Sequence, residues 1–199
     1  MRSDSNTPWK SSKSSIIFIQ HYFYPDISAV SQLIGDLLSK LAEDPQLNLT
    51  VLCGTVFKSA NRKSPPPKFV NSVCIIRIPT LNLGKRNFIN RILGYLTFYL
   101  GVFSYLLLGK RYHLVVSMST PPLIGFVVAL ASRLRKTPFV YYVQDLYPEL
   151  LFDMNHIQRV WILKKLWVIN DFILNRAAKV FVISEDMKRK LIANYNFEE

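Results

Sequence analysis

The chain has 199 residues, half of them hydrophobic, and a formal net charge of +12 at pH 7. This composition excludes a wholly disordered protein and supplies enough apolar side chains for the core of one domain. Residues 45–144 contain no Asp or Glu, although Lys and Arg recur along the whole stretch. Such a segment predicts a positive surface and anionic partners, such as phosphates or acidic lipid headgroups; a basic charge without a specific role is the open alternative.

The first 14 residues are polar and rich in Ser, which predicts a disordered tail without the apolar run of a signal peptide. From residue 15 onward, short Val/Ile-rich runs alternate with longer amphipathic or apolar segments. The predicted strands are 15–20, 47–53, 73–78, 113–118, 139–143 and 179–183, and the predicted helices are 28–42, 92–108, 121–134, 157–176 and one that starts after Ser184. A Pro-rich surface loop is predicted at 59–68. The alternation predicts an α/β fold with a doubly wound, mostly parallel Rossmann-like sheet.

The two cysteines, Cys53 and Cys74, both lie in apolar strand-like runs. Neither has a second Cys or a His at the spacing of metal ligands, so we expect two buried free thiols and no metal site. A reducing compartment fits this pattern, and we expect a cytoplasmic protein.

The segment 92–108 has no charged residue and is apolar on all sides, with tyrosines among its aliphatic side chains. Seventeen helical residues are about 25 Å long, the short end for crossing a membrane. A crossing helix would also separate strands 73–78 and 113–118, which then could not share a sheet. We therefore predict a helix that packs on the sheet and lays its outer face in the membrane interface; an ordinary core helix is the alternative. The predicted membrane-surface residues are Arg91, Tyr95, Tyr99, Tyr105, Lys110 and Arg111.

Ligands of open parallel sheets bind beyond the carboxyl ends of the strands. Three polar loops follow predicted strands there, and they carry the candidate catalytic groups His21, Asp145 and Glu149. A carboxylate in such a loop can take a proton or orient a hydroxyl, whereas the alternative is that Asp145 or Glu149 caps the next turn. A histidine at a strand end is as often structural as functional.

The loops are rich in groups that can hydrogen-bond a sugar or a phosphate. The candidate substrate-binding residues are Tyr24, Pro25, Asp26, Ser28, Ser119, Thr120, Gln144, Tyr147, Ser184 and Glu185. The first loop lacks the GxGxxG of dinucleotide sites, and the chain has no Walker A, GxSxG or HExxH sequence. The basic residues are spread among aliphatic ones without a recognised nucleic-acid-binding module, so nucleic acid is not an expected partner.

Four segments, 22–26, 117–122, 143–149 and 182–187, stand in the same order as motifs of a known family. They read YFYPD, SMSTPP, VQDLYPE and VISEDM. Together they resemble the amino-terminal domain of family-4 retaining glycosyltransferases, and are most similar to the bacterial fucosamine-type and colanic-acid-type transferase branch.

The resemblance implies a GT-B fold, in which two Rossmann-like domains enclose the active site. It implies metal-free transfer of a sugar from a nucleotide sugar, without a further cofactor, to an acceptor that is often a lipid-linked glycan and is held by this domain. It places the enzyme on the anionic inner face of the plasma membrane, in cell-surface polysaccharide synthesis.

Three departures from the family pattern stand out. Residues 27–30 read Ile-Ser-Ala-Val where many relatives have Gly-Gly, and Gln144 stands where many have His. The donor-binding domain, with its two glutamates seven residues apart, would begin where this chain stops. We therefore expect residues 15–199 to form an acceptor-side domain that is inactive alone and needs a donor-binding domain or subunit. The alternative is a non-catalytic membrane scaffold.

Overall fold

The computed structural model describes residues 13–25, 28–55, 69–70, 72–81, 88–146 and 160–195. Within them, six parallel strands and one short antiparallel strand form a single sheet. The strands are β1 (Ser14–Ile19), β2 (Leu47–Gly54), β3 (Phe69–Val70), β4 (Val73–Ile78), β5 (Leu114–Met118), β6 (Phe139–Val143) and β7 (Lys179–Val182). The helices are α1 (Ala29–Leu41), α2 (Phe88–Leu108), α3 (Ile124–Arg135), α4 (Val160–Arg176) and α5 (Glu185–Asn194). The predicted fold class is confirmed.

The order of the strands is β3-β4-β2-β1-β5-β6-β7. Strand β1 lies inside the sheet, and β2 and β4 follow it toward one edge. Helix α2 then leads back across the sheet, so that β5 lies on the other side of β1. The centre of β1 therefore pairs in both directions, with Ile17 opposite Thr50 on β2 and opposite Val115 on β5. The sheet order reverses between β1 and β5, which is where such sheets bind ligands.

Both faces of the sheet are covered because successive side chains of each strand point in opposite directions. On β1, Ile17 and Ile19 join one core with Phe98 of α2, whereas Phe18 joins a second core with Ile34 of α1. These side chains are almost fully buried. This explains why β1 reads as a continuous apolar run rather than as an alternating one.

Helix α1 begins where the sequence predicts, since the Ser28 hydroxyl accepts a hydrogen bond from the backbone N–H of Ser31. Ile34 buries its side chain against the sheet. The apolar spacing of the segment 28–42 predicts that Leu33 and Leu37 lie in the same buried stripe as Ile34, but they are 47% and 43% exposed. The buried face of α1 is thus narrower than the pattern indicates.

Three elements differ clearly from the prediction. Helix α2 begins at Phe88, four residues before the predicted start at residue 92. Helix α3 begins at Ile124 instead of residue 121, because Leu123 has a left-handed backbone (φ 67°) that the helix cannot continue through. Strand β3 was not predicted, and it pairs with β4 through a turn in which Ser72 has φ 65°. A strand of two residues is too short to show a periodic pattern.

The predicted burial of the cysteines is confirmed for Cys53 and wrong for Cys74, which is half-buried; neither forms a disulfide. Cys74 lies on β4, near the sheet edge, where only the two-residue β3 follows. The predicted loop 59–68 lies outside the described residues, as does nearly all of the predicted tail.

Candidate functional site

The loops after β1, β5 and β6 lie side by side, because these three strands are neighbours in the sheet and run in the same direction. Neighbouring strands are about 4.8 Å apart, so the three loops fall within reach of one small ligand. We call this rim of the sheet the carboxyl edge. It contains most of the residues that the sequence indicated as candidates.

Ser119, Thr120 and Asp145 form a hydrogen-bonded cluster at the carboxyl edge. The buried Ser119 hydroxyl accepts hydrogen bonds from the backbone N–H groups of Gln144, at 3.0 Å, and Asp145, at 3.1 Å. The Thr120 hydroxyl donates to Oδ2 of Asp145 over 3.1 Å. The half-buried carboxylate is therefore fixed from two directions, through its backbone and through its side chain.

The side chain of Gln144 has an unusual environment. Its Oε1 atom is buried and has no hydrogen-bond partner among the described residues. An unpaired buried acceptor is costly unless a ligand or water supplies a donor. Gln144 follows β6 directly, so it is a candidate for contact with a substrate hydroxyl at the same edge.

His21 lies deeper than a surface base would. Its ring is 6% exposed and packs edge-on against the rings of Tyr95 and Phe98 of α2, at centroid distances of 5.5 and 4.7 Å. Gly54 lies against it so closely that a Cβ at residue 54 would come within 3.3 Å of Nε2 of the imidazole. This environment gives His21 a packing role, and a part in catalysis stays a prediction.

The other candidates are spread along the carboxyl edge. Tyr24 is exposed and precedes the cis-peptide of Pro25, while Ser28 caps α1. Ser184 caps α5 and Glu185 is its exposed first residue, both beyond β7 at the far side of the sheet. Asp26, Tyr147 and Glu149 lie outside the described residues.

The double role of the Ser119 hydroxyl was missed at the sequence level. The signal for it was a small hydroxyl residue directly after a buried strand, but its two partners are 25 and 26 residues away along the chain. Only the pairing of β5 with β6 brings them together.

We expect Ser119→Ala to lower the free energy of unfolding by about 2 kcal/mol, because two backbone N–H groups lose their acceptor in a partly buried loop. Ser117→Ala is the matched control, since the buried Ser117 hydroxyl only donates to a backbone carbonyl oxygen, that of Met118. Denaturant unfolding of both variants measures the difference. Equal losses would contradict the acceptor role.

The tyrosines of α2 are placed differently from the prediction. Tyr99 donates to the carbonyl oxygen of Pro122, and the hydroxyls of Tyr105 and Tyr112 lie 3.0 Å apart. Tyr95, Tyr99 and Tyr105 are all half-buried, with ring or hydrogen-bond contacts inside the domain. Because these tyrosine side chains find partners within the fold, they face the domain. Aliphatic side chains therefore form the outer surface of α2.

We call that outer surface the α2 aliphatic face. It consists of Ile92, Leu93, Leu96, Leu100 and Leu108, which are 36–87% exposed. The charged residues predicted around it, Arg91, Lys110 and Arg111, are exposed as well. By length and composition Asn90–Leu108 could cross a membrane, with a mean hydropathy of 1.5 and 17% of the window buried. However, α2 connects β4 and β5, and the prediction that these two strands share one sheet is confirmed.

The comparisons with known proteins agree with this fold. A family model described as "Glycosyl transferase 4-like domain" matches residues 36–199. Because the match covers most of the chain, the protein belongs to this family of glycosyltransferase domains.

Among solved structures, the chain is similar to sucrose-phosphate synthase from Thermosynechococcus elongatus, with a TM-score of 0.58 and 14% identity. The similar region covers 91% of this chain and 45% of that one, so the chain spans less than half of that structure. At this identity the likeness shows the fold, which is that of one GT-B half. The search of curated proteins found no match.

Proposed function

We propose that this chain is the acceptor-side half of a retaining glycosyltransferase of the fucosamine-type and colanic-acid-type branch. It helps to move a sugar from a nucleotide sugar to a lipid-linked glycan in cell-surface polysaccharide synthesis, on the cytoplasmic face of the membrane. The observation that carries the proposal is the cluster of Ser119, Thr120 and Asp145 at the carboxyl edge.

The cluster suits an acceptor site because it presents a fixed carboxylate. Ser119 holds the backbone of residues 144 and 145, and Thr120 donates a hydrogen bond to one carboxylate oxygen of Asp145. The other carboxylate oxygen, Oδ1, is left to accept a hydrogen bond from a hydroxyl group of the glycan that receives the sugar. Gln144, with its unpaired Oε1, can accept from a second hydroxyl. Two positioned hydrogen-bond acceptors define the orientation of one sugar ring. Positioning of this kind lowers the barrier to sugar transfer.

The donor half of the reaction requires a second domain. In this proposal a donor-binding domain, in the same chain or in a separate subunit, holds the nucleotide sugar, and the described half alone does not turn over. The family match and the coverage of less than half of the solved GT-B structure support this division.

The test is a transfer assay with protein expressed from its native locus, so that a donor domain in the same or an adjacent reading frame is included. Membrane lipid extract and a panel of radiolabelled nucleotide sugars serve as substrates. We expect label from one sugar to enter the lipid fraction. Absence of transfer for the whole panel, with a folded donor domain present, would reject the proposal.

The membrane part of the proposal is supported by the α2 aliphatic face. Leu96 and Leu100 are 49% and 59% exposed, one helical turn apart, on the half of α2 that packs beside the carboxyl edge through Tyr95 and Tyr99. A lipid-linked acceptor leaving the bilayer there would meet Asp145 and its neighbours. Exposed aliphatic side chains with flanking cations are the pattern of interfacial helices.

We expect the double variant Leu96→Glu/Leu100→Glu to lose binding to vesicles of phosphatidylcholine with phosphatidylglycerol in a flotation assay. The matched control is Leu33→Glu/Leu37→Glu, which changes two similarly exposed leucines at the same spacing on α1. Retained flotation of the first variant, or equal loss in both, would contradict the assignment of this face.

A non-catalytic membrane scaffold is the second candidate, because the α2 aliphatic face needs no chemistry to anchor the chain. The two functions differ in their dependence on Asp145. A scaffold that supports another transferase keeps its effect when the carboxylate is removed, whereas an acceptor site does not.

A further inference from the structure

A small cavity lies at the opposite rim of the sheet, between the ends of α2 and α3. Its volume is about 10 Å³, and Lys110, Arg111, Ser132, Arg135 and Thr137 are among the residues that line it. A cavity of this size takes one water-sized group, such as a water molecule or a single oxygen atom of a larger ligand.

Three cations surround this cavity. Lys110 and Arg111 are exposed, and Arg135 is held in place by donating to the carbonyl oxygen of Gly109 over 2.7 Å. Asp145 is the one acid in residues 88–146, and it lies at the carboxyl edge. These positive charges therefore lack a nearby acidic residue in their own part of the sequence.

The phenol beside these cations does not supply a negative charge. Burial, with the hydrogen bond between the hydroxyls of Tyr112 and Tyr105, raises the pKa of Tyr112 well above its usual value, so that the group is neutral at pH 7. The Lys110 ammonium lies 4.9 Å from the centre of the Tyr112 ring. The site keeps its positive potential, which favours an anionic ligand.

Ser132 supplies a second and independent observation. Its side chain is 2% exposed, and its hydroxyl oxygen has no hydrogen-bond partner among the described residues. A buried hydroxyl without a partner is costly, and Ser132 lines the cavity. The hydroxyl can donate to an oxygen atom that enters the cavity.

The neighbouring surface indicates the source of that oxygen. Leu108, the last residue of α2, is 87% exposed and precedes Lys110 by two residues. An apolar side chain beside a cluster of cations is the arrangement expected where a protein meets acyl chains and headgroups together.

We infer that this cavity is a binding site for the phosphate of an anionic lipid headgroup, with one phosphate oxygen accepting from the Ser132 hydroxyl and Lys110, Arg111 and Arg135 around the rest. The inference rests on the membrane part of the proposed function and adds a defined headgroup contact to it. Helix α2 is about 31 Å long, and this contact would lay it along the bilayer, with its first half and the carboxyl edge near the surface.

The test compares vesicle binding of two double variants that each remove two positive charges. Lys110→Gln/Arg111→Gln changes the cavity, whereas the control Arg133→Gln/Lys136→Gln changes exposed cations of the same region that do not line it. For vesicles of phosphatidylcholine with phosphatidylglycerol, we expect the affinity of the Lys110→Gln/Arg111→Gln variant to be roughly tenfold weaker than that of the control variant. For vesicles of pure phosphatidylcholine, we expect no such difference between the two variants.

Ser132→Ala completes the test because it changes no charge. We expect a roughly tenfold weaker affinity for the anionic vesicles, the effect of one lost hydrogen bond to a charged group. An unchanged affinity, or equal losses in the two double variants, would mean non-specific attraction or a buried water and would overturn the inference. Stabilisation by inorganic phosphate that depends on Ser132, without an effect on vesicle binding, would assign the site to free phosphate and overturn it as well.

The outcomes separate this inference from the proposed function. If the protein binds anionic vesicles through Ser132 but transfers no sugar, the headgroup site stands and the glycosyltransferase proposal fails. If sugar is transferred with Ser132→Ala binding vesicles normally, the proposed function stands and the headgroup site fails.

Discussion

Asp145→Asn is expected to lower the rate of glycosyl transfer at least a hundredfold and to leave the domain folded. Asparagine keeps the size of the side chain and an oxygen that can accept from Thr120, so the hydrogen bond across the cluster can persist. What is lost is the charge, and removing a positioned acid–base group typically costs about 10²–10⁴ in rate. Initial rates of transfer and the melting temperature, measured on the same preparation, give both quantities.

The control for this variant is Asp44→Asn. Asp44 also accepts a hydrogen bond, from the backbone N–H of Gln46, but it lies before β2 at the opposite rim of the sheet. We expect a normal rate for it. A normal rate for Asp145→Asn would remove Asp145 from the site and favour the scaffold. Thr120→Val, which leaves the carboxylate charged but frees it to rotate, should lower the rate by a smaller factor.

Gly101→Ala is expected to destabilise the domain, although the same substitution usually stabilises a helix. A Cβ at residue 101 would lie 2.2 Å from Cγ2 of Ile78, a branched side chain of β4 that is itself buried. Helix α2 and β4 must therefore move apart, and overpacking of this kind costs about 1–3 kcal/mol. The higher helix propensity of alanine offsets up to about 1 kcal/mol of that. Thermal unfolding should show a lower melting temperature, by roughly 2–4 °C for each net kcal/mol.

Gly35→Ala tests the same substitution where there is room. Gly35 also lies inside a helix, α1, but a Cβ at that residue would meet no atom within 4 Å. We expect a gain of about 0.5–1 kcal/mol from helix propensity alone. A stabilised Gly101→Ala would show that α2 does not pack on β4 as closely as described.

The elements of the sheet were largely predictable because each is encoded locally. Strands β4 and β6 match the predicted boundaries, since short runs of Val, Ile and Tyr ended by Pro or a polar pair leave few alternatives. The starts of α1 and α5 were equally clear, because Ser28 and Ser184 cap them with their own hydroxyls. Strand β3 and the late start of α3 depend on single left-handed residues, Ser72 and Leu123, that no periodic pattern reveals.

The candidate site was predictable in part. Asp145, Thr120 and Ser119 were all expected near a ligand, because each follows a buried strand and parallel strands end at one edge. Their mutual bonds were not predictable, since the two loops are about 25 residues apart and meet only through strand pairing.

The sequence by itself determined the parallel α/β fold, the acid-free basic segment and the loops that carry the polar groups, because hydrophobic period, charge and turn residues act over a few neighbours. The tertiary structure decided which side chains are buried and which are exposed. The ring of Tyr95 contacts the rings of His21 and Tyr99 inside the domain, whereas Leu96 and Leu100 are exposed. The reason is physical: a helix that is apolar on every side carries no signal for its rotation, and packing against the sheet alone selects the face that is buried.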